Sequence, residues 1–456
     1  MKTKAFLIAT LLFAAGLYSC SDENNENTNS GGEDKGQPTY LDVSFSFPKG
    51  DVVTRAATTE DNNASLLETA VNTVDVYIFN SNTGMMSKHQ ALAASDFVQQ
   101  IPGGGNADVW KAKATIGTTT GAKTVFIGIN LPTTFAQGLK NTSLANFNDN
   151  VHSLTMGQLV TGDGVAMFSA NGVTSELKPQ GDPDYGTNNT VKIPVKRLVA
   201  KVTVEKSSTM TINGPGKIDN LAFAINNINT KFFLVPKADG SDPNYLPHSW
   251  LSTDFINAVN TPDAPGDGYV KVNEANVPLV KDLNTLYTTE NTSVNHWKEE
   301  ITRATIRATF VPNKVTQKNG SEFVEVANPN LTPKTFWTVI LQNGYRYYFL
   351  DENTATAFKN ANPGSIKPAE YTNGYCYYDM FLNKQGYFNG YPVTSKKWDV
   401  FRNDYYRCRI TSIFGPGRPD VPPLDPQTPP DTETDIKYEV DILFWNVVTD
   451  DYDLEP

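Results

Sequence analysis

Short strand-like runs recur along this chain and limit it to an all-β fold. In "YLDVSFSF" (40–47), apolar and polar residues alternate, which is the period of a half-buried strand. Gly, Asn, Asp and Pro fill the gaps between such runs. The apolar face of the first run consists of Leu41, Val43, Phe45 and Phe47. Further predicted strands are 74–80, 124–131, 191–205, 218–227, 302–312, 336–342, 345–350, 374–381 and 405–413.

Stretches with a helical pattern are few, and the best of them are 63–72 and 131–141. Many short strands with turn-rich spacers favour β-sandwiches. We therefore expect two sandwich domains of the transthyretin-like or Greek-key type with few short helices. The run "KSSTMTINGPGK" interrupts two strand-rich halves and places the boundary between residues 208 and 209.

The N-terminus has the pattern of a secretory signal peptide over residues 1–19. Lys2 and Lys4 precede a short apolar run that ends at Cys20. A cysteine directly after "LYS" resembles the lipobox of a bacterial lipoprotein, in which Cys20 carries lipid; the alternative is an ordinary signal peptide with an incidental cysteine. Residues 20–39 are acidic, Asn-rich and poor in large apolar residues, so we expect a flexible tether.

Arg55 is the only arginine in the first 196 residues. It follows the first strand and precedes a polar run, "AATTEDNNAS". Taken alone, it has the usual role of a surface arginine, that of a solvated loop cation. The next arginine, Arg197, lies in "VKRLVAKVTVE", an ordinary core strand in which we expect Lys196, Arg197 and Lys201 to face solvent or a subunit interface.

The C-terminal part combines a proline-rich stretch with an apolar strand. Residues 414–435 contain seven prolines, which favours an extended spacer. The strand "IKYEVDILFWNVV" (436–448) must dock, because an apolar strand left in water is an aggregation liability. Its partner is either its own domain or another subunit. Its apolar residues are Ile436, Tyr438, Val440, Ile442 and Phe444, with Leu443 and Trp445 on the opposite face.

Composition excludes one class of partner and leaves the cysteines open. The net charge is −11 and no basic cluster is present, so we expect no nucleic-acid binding. Cys376 and Cys408, the two cysteines after Cys20, form either one disulfide or two buried thiols.

No catalytic or metal-binding motif stands out. The patterns G-x-S-x-G and H-E-x-x-H are missing, and the four histidines have no partner at helical spacing. They are His89, His152, His248 and His296. The loops 238–244 and 261–269 carry carboxylates that suit Ca²⁺, but such Asp-Gly-Pro loops are commoner as plain turns. We predict no enzyme activity and no cofactor.

In their order along the chain, several features resemble the fimbrillins of Bacteroidales, the FimA-like major subunits of type V pili, and especially the major subunit of the short fimbrium. They are "SC" at 19–20, a first strand followed by a lone arginine (40–55) and "VKRLVAKVTVE" (195–205). "VFRNDYYRCRITSIFGPGRP" (400–419) and an apolar C-terminal strand with "LFWNV" (443–447) complete the set.

The resemblance implies a role for each segment. The precursor is an outer-membrane lipoprotein with lipid on Cys20. An arginine-specific protease cuts between Arg55 and Ala56 and removes a propeptide strand, 40–55. The mature chain then consists of an N-terminal sandwich (56–208), a C-terminal sandwich (209–413), a linker (414–435) and a donor strand (436–456). That donor strand fills the groove of a neighbouring copy, by strand addition between chains. The stiff proline-rich linker keeps it from folding back easily onto its own subunit.

The implied product is an extracellular fimbrium used in adhesion and biofilm formation. Its partners are other copies of the chain and the anchor and tip proteins of the fimbrium; the surface ligand is unknown. The alternative is a non-polymerising surface lipoprotein adhesin, or a carbohydrate-binding tip subunit, which keeps its lipid. The third hypothesis is a glycan-degrading enzyme, although the sequence does not single out a pair of catalytic carboxylates.

Overall fold

Strands dominate the part of the chain that the computed structural model describes. It comprises residues 36–47, 65–100, 109–245, 255–257, 268–275, 284–389, 391–421, 430 and 435–445. The expected all-β class is confirmed, and the alternating runs found in the sequence correspond to strands.

The first half of the chain supplies a set of mostly short strands. In chain order they are β1 (Pro38–Ser46), β2 (Thr73–Asn80), β3 (Met86–Ala93), β4 (Phe97–Gln100), β5 (Val109–Ala112), β6 (Ile116–Thr119), β7 (Gly121–Ile129), β8 (Val151–Ser153), β9 (Val160–Thr161), β10 (Gly164–Val165), β11 (Met167–Ser169), β12 (Val173–Leu177) and β13 (Thr190–Arg197).

The second half contains longer strands and several two-residue ones. They are β14 (Ala200–Ile212), β15 (Gly216–Asn226), β16 (Ile228–Asn229), β17 (Lys231–Phe233), β18 (Phe255–Ile256), β19 (Val270–Lys271), β20 (Thr285–Thr288), β21 (Arg303–Pro312), β22 (Lys314–Asn319), β23 (Glu322–Ala327), β24 (Phe336–Ile340), β25 (Arg346–Phe349), β26 (Ala369–Tyr371), β27 (Tyr375–Phe381), β28 (Tyr387–Phe388), β29 (Tyr391–Pro392), β30 (Asp404–Ile413) and β31 (Ile436–Phe444).

The helices are short. They are α1 (Leu66–Thr69), α2 (Thr133–Gly138), α3 (Leu144–Asp149), α4 (Met156–Leu159), α5 (Tyr185–Asn188) and α6 (Glu352–Ala361). The two stretches with a helical pattern contain α1 and α2, each shorter than the pattern. In α1 the cause of the helix is local, because Ser65 and Glu68 form a capping box.

The first half forms one large sheet with the order β3-β2-β7-β11-β13-β1-β5-β4, to which β6 and β12 add pairs with β1 and β7. Its inner face encloses an apolar core built from β1, β2, β7 and β13. The outer face of β2, β7 and β11 carries aromatic residues that pack with α2, α3 and α4. Strand β1 therefore lies inside the sheet, with neighbours on both sides.

The second half contains a sandwich of two four-stranded sheets. One has the order β20-β14-β30-β31 and the other β19-β15-β21-β27. Residues of β14, β15, β21, β27, β30 and β31 share one apolar core between the two sheets. Among the described strands, β31 is at the end of its sheet and pairs with β30 alone.

The predicted run 191–205 is divided between the two halves. Strand β13 ends at Arg197 in the large sheet, and β14 begins at Ala200 in the sandwich. The intervening Leu198 and Val199 are fully buried. The chain thus changes sheets N-terminal to the boundary expected between 208 and 209, which falls inside β14. Periodicity does not reveal such a crossing, because both strands are apolar.

Candidate functional site

Strand β1 occupies an internal position of the large sheet. It pairs parallel with β13, from Asp42 opposite Thr190 to Ser46 opposite Pro194. On its other side it pairs antiparallel with β6 and then with β5. A strand with two neighbours carries hydrogen bonds along both edges, so its removal would leave unpaired backbone groups on both sides.

The inward side chains of β1 are those that the alternation predicts. Leu41, Val43, Phe45 and Phe47 are all buried in the core of the large sheet. Phe45 stacks on Trp110 with a centroid distance of 6.1 Å and contacts the edge of Phe97 at 5.4 Å. Burial of each such side chain stabilises the folded state by ~1.5–3 kcal/mol, so β1 contributes strongly to the stability of this core.

Side-chain hydrogen bonds fix the beginning of β1. Thr39 donates through Oγ1 to the carbonyl of Lys178 at 2.7 Å. The buried Asn189 donates through Nδ2 to the carbonyl of Tyr40 at 2.8 Å and to Thr39 Oγ1 at 3.0 Å. The register of β1 is therefore set by polar contacts as well as by its apolar face.

We expect Phe45→Ala to lower the free energy of unfolding of the unprocessed chain by about 3–5 kcal/mol, because it leaves a cavity beside Phe97 and Trp110. Urea unfolding measures this effect. Tyr40→Ala is the matched control on the same strand, since Tyr40 is half exposed, and it should change stability by less than about 0.5 kcal/mol. Equal losses in the two variants would contradict the internal placement of Phe45.

Three of the predicted processing residues lie outside the described part of the chain. They are Cys20, the predicted lipidation site, and Arg55 and Ala56, the predicted cleavage site. Lipidation and cleavage therefore stay predictions.

Strand β31 pairs antiparallel with β30 of its own chain, from Ile413 opposite Ile436 to Asp404 opposite Phe444. The expectation that the proline-rich linker keeps this strand from folding back is wrong for this structure. The linker leaves β30 and returns to β31 at the same end of the sheet, where the amide of Phe414 donates to the carbonyl of Asp435 at 2.8 Å. The ends of the two strands that the linker connects therefore lie close together.

The first part of the linker packs on the sandwich. Arg418 forms a backbone bridge with Tyr377. The hydroxyls of Tyr378 and Tyr371 donate to the carbonyls of Gly415 and Gly417 at 2.6 and 2.8 Å. This part of the predicted spacer is thus tied to β27 and its surroundings.

The described side chains of β31 alternate as predicted. Ile436 and Val440 are buried in the sandwich core, and Tyr438 and Ile442 pack against it. Tyr438 also accepts a hydrogen bond from the amide of Phe381 at 2.8 Å. The same face that would serve a donor strand is therefore in use within the subunit. The side chains of Leu443 and Phe444 lie outside the described part.

Trp445, directly after β31, lies at the junction of the two halves and is almost fully buried. Its indole N–H donates to Glu68 Oε2 at 3.0 Å, and its carbonyl accepts from Arg197 Nη1 at 2.9 Å. The Arg197 guanidinium lies 4.2 Å from the indole centroid, and Tyr287 stacks on the indole at 5.7 Å. Charged and aromatic groups thus surround this one side chain.

Glu68 is the centre of this group, which we call the Glu68 cluster and define as Glu68, Arg197, Lys201, Tyr287 and Trp445. Lys201 Nζ lies 2.9 Å from Glu68 Oε1, and the Tyr287 hydroxyl donates to the same oxygen at 2.7 Å. Burial alone would raise the pKa of Glu68. The Lys201 charge and the hydrogen bonds from Lys201, Ser65 and Tyr287 outweigh it, so the pKa is lowered.

The expectation that Arg197 and Lys201 face solvent or a subunit interface is wrong, since both are buried in the Glu68 cluster. Burial lowers the pKa of Arg197 to about 10, with the Glu68 charge acting in the opposite direction. Both residues flank the point where the chain crosses from β13 to β14, which places them between the halves. Lys196, one residue before Arg197, is half-buried.

The motif "FRN" (401–403) of the second half also contacts the junction between the two halves. Arg402 pairs with Glu290 and donates to the carbonyl of Leu234. Asn403, which has a positive φ of 64°, accepts from the amide of Arg197 at 3.2 Å. Sequence reasoning singled out this motif but missed Glu68 and Tyr287. The capping-box pattern of Ser65 and Glu68 was the available signal, although it indicates a helix start and not a buried cluster.

We expect Glu68→Gln to destabilise the chain by about 3 kcal/mol at pH 7, because it leaves the charges of Lys201 and Arg197 buried without a counter-charge. The pKa of Glu68 is lowered by folding, so its ionised form stabilises the fold above pH 4.5, and this contribution is lost as pH falls through the folded pKa. The difference between wild type and variant should therefore shrink in acid.

Urea unfolding at several pH values measures this dependence. Glu352→Gln is the matched control, since Glu352 is an exposed glutamate in the first turn of α6. A Glu68→Gln difference that stays constant from pH 7 to below pH 4 would contradict an ionised Glu68 in the cluster.

The two cysteines are buried free thiols in the structure, so the disulfide alternative does not hold here. Cys376 lies on β27 and Cys408 on β30, in opposite sheets of the sandwich. Burial raises the pKa of each thiol to about 12, which keeps both protonated and unreactive.

The remaining candidate ligands take part in internal contacts. His89 pairs with Asp75, and His296 pairs with Asp399. His152 packs between Phe135 and Phe232, whereas His248 lies outside the described part.

The loop 238–244 folds as a turn, in which Asp242 accepts from the amides of Thr292 and Asn244 at 2.7 Å. Residues 261–267 of the second candidate loop lie outside the described part. Among the residues described, no group of three or more His, Cys, Asp or Glu is arranged to hold a metal ion. The described helices include none that is long and apolar enough to cross a membrane.

Residues 369–451 match the family model described as "Major fimbrial subunit protein type IV, Fimbrillin, C-terminal". This segment contains β27, β30, the linker and β31. The expected likeness to fimbrillins is thereby confirmed for this part of the chain. No curated protein sequence matches the chain.

Several solved structures align with most of the chain, at low sequence identity and with TM-scores below 0.5. A candidate cell adhesion protein from Parabacteroides distasonis is 14% identical, with a TM-score of 0.47 over 90% of this chain and 98% of that one. The tip fimbrial protein Mfa3 from Porphyromonas gingivalis, with a C-terminal truncation, is 14% identical, with a TM-score of 0.38 over 90% and 100%. A fimbrial assembly protein from Parabacteroides distasonis is 11% identical, with a TM-score of 0.35 over 90% and 100%.

Proposed function

We propose that this chain is the structural subunit of a surface fimbrium that polymerises by strand exchange. An arginine-specific protease cuts between Arg55 and Ala56 and detaches β1. The C-terminal strand of a neighbouring copy then takes the place of β1. The match of residues 369–451 to fimbrillins supports the fimbrial part of this proposal.

The observation that carries the proposal is the position of β1. It lies inside the large sheet, yet it is the first strand of the described chain, so a single cut after it separates it from everything else. Its loss would open a groove between β13 on one side and β5 and β6 on the other. Such a groove offers unpaired backbone groups and an apolar floor, which is what an added strand requires.

Strand β31 suits this groove in length and pattern. Both strands span nine residues, and both alternate apolar with polar side chains. Exchange of β31 from each copy to the next is a head-to-tail contact that does not close, and it therefore produces a filament. In this proposal the partners are further copies of the chain together with anchor and tip proteins, and the filament serves adhesion and biofilm formation at the cell surface.

The location follows from the same proposal. The precursor is an outer-membrane lipoprotein that carries lipid on Cys20, and cleavage releases the mature subunit into an extracellular filament. The lipid and the tether are lost together with β1, because all of them precede Arg55.

One observation favours the alternative of a non-polymerising surface adhesin. Strand β31 is docked on β30 of its own chain, with Ile436 and Val440 in the core, so the subunit is complete as a monomer. In this alternative the chain keeps β1 and its lipid.

Treatment of the purified full chain with an arginine-specific protease distinguishes the two functions. The proposal predicts loss of residues up to Arg55, followed by multimers that light scattering and electron microscopy detect. The same protease with its active site blocked is the control. A chain that loses β1 and stays monomeric at high concentration would contradict the proposal and favour the adhesin.

A further inference from the structure

Strand β31 is attached to its own subunit in two separate ways. Along its length it pairs with β30, at the open edge of a four-stranded sheet. At its C-terminal end, Trp445 packs among the other residues of the Glu68 cluster. This site is separate from the sandwich core in which Ile436 and Val440 are buried. The two attachments involve different halves of the chain, since Glu68 lies on α1 and belongs to the first half.

Along its length, β31 is restrained by one neighbouring strand and by the burial of Ile436 and Val440 in the core. An edge strand has one neighbour, and local opening of such elements requires far less free energy than global unfolding. Lys437 and Glu439 on the outer face are exposed. Without a further contact, we expect β31 to open more often than the strands that have two neighbours.

The contacts of Trp445 supply a second restraint. The indole is enclosed by the Arg197 guanidinium at 4.2 Å and by the Tyr287 ring at 5.7 Å. A cation that is buried over an aromatic face interacts more strongly than an exposed one, because water does not screen it. The indole N–H is also bonded to a buried carboxylate, that of Glu68, at 3.0 Å.

Withdrawal of Trp445 would remove hydrogen bonds from two buried charged groups. Arg197 Nη1 would lose the Trp445 carbonyl and keep only the longer bond to Asn403 Oδ1 at 3.4 Å. Glu68 Oε2 would lose the indole donor and keep the bonds from Ser65 and Lys201. Arg197 Nη2 already has no hydrogen-bond partner in the described structure. Hydrogen bonds to buried charged groups are stronger than those between neutral groups, so their loss opposes release of the end of β31.

We propose that Trp445 and the other residues of the Glu68 cluster form a latch. This latch holds β31 on its own subunit and prevents the monomer from donating the strand to a neighbouring copy. The latch is an autoinhibitory contact, since the face that β31 would offer to a neighbour stays in its own sandwich core while Trp445 is inserted. The effect on strand donation, but not the latch itself, rests on the proposed function.

Hydrogen exchange of the unprocessed full chain tests the latch without any polymerisation. We expect Trp445→Ala to accelerate exchange of the amides of β31 at least about tenfold, while the amides of β21 in the opposite sheet stay unchanged. Trp445→Phe keeps a ring but loses the N–H donor, and it should give an intermediate acceleration. This milder variant keeps the test informative if Trp445→Ala does not fold.

Phe358→Ala is the control for general destabilisation. Phe358 is a buried aromatic residue of α6 in a separate small cluster with Val339 and Phe349. It should leave exchange in β31 unchanged. Unchanged exchange in β31 of both Trp445 variants, or equal acceleration by Phe358→Ala, would overturn the latch.

A second measurement separates the latch from the proposed function. After arginine-protease treatment, Trp445→Phe should form multimers faster than wild type, because its strand is released more often. If wild type and variant both stay monomeric, but hydrogen exchange in β31 is faster in the variant than in wild type, the proposed function fails and the latch stands. If wild type polymerises and neither the rate nor the exchange differs in the variant, the latch fails and the proposed function stands.

Discussion

A chain that lacks residues 436–456 should fold, stay monomeric and form no filaments after arginine-protease treatment. The deletion removes the only strand proposed for donation and leaves the large sheet with its acceptor position intact. It also removes Ile436 and Val440 from the sandwich core and Trp445 from the Glu68 cluster, so the variant should be less stable by several kcal/mol, at ~1.5–3 kcal/mol for each buried side chain. Circular dichroism, light scattering and electron microscopy measure folding, mass and filaments.

Deletion of residues 446–456 is the matched control, because it shortens the same terminus but keeps β31 and Trp445. This shorter deletion should still give filaments. Normal filaments from the chain that lacks 436–456 would show that β31 is not the donor.

Substitution of Arg55 by Ala should abolish cleavage by the arginine-specific protease and, with it, polymerisation. No other arginine precedes Arg197, and Arg197 is buried, so no second site is available to release β1. Urea unfolding of the untreated variant checks that the unprocessed chain keeps its stability. Gel electrophoresis of treated samples shows whether ladders of multimers form.

A rescue experiment separates the role of the arginine from the removal of β1. Lys49 also follows β1, whose last residue is Ser46. A lysine-specific protease that cuts after Lys49 should therefore detach β1 from the Arg55→Ala variant and restore polymerisation. Equal polymerisation of wild type and Arg55→Ala with the arginine-specific protease would contradict a processing role for Arg55.

The strands of this fold could be predicted from the sequence because the alternation of apolar and polar residues is a local pattern. Alternation in "YLDVSFSF" gives the buried face of β1 correctly, from Leu41 to Phe47. The alternation in 436–444 likewise identifies the buried face of β31 at Ile436 and Val440. Period-two patterning reports which face of a strand is buried, and it does so without reference to the partner strand.

The partners of those strands could not be predicted in this way. Nothing in the pattern of β31 indicates that β30 receives it, since docking depends on where the ends of the linker meet. Arg197 and Lys201 have the sequence character of surface residues, and their burial arises from the crossing of the chain between two sheets. The Glu68 cluster joins residues from α1 to Trp445, a sequence separation at which local patterns carry no information.

The N-terminal residue of the protein in filaments sheared from the cell surface tests the central proposal most directly. Strand exchange after processing predicts Ala56, with residues 40–55 missing from the filament. A filament protein that begins with lipid-bearing Cys20 and retains β1 would contradict the proposal, because the groove for a neighbouring strand would then still be filled.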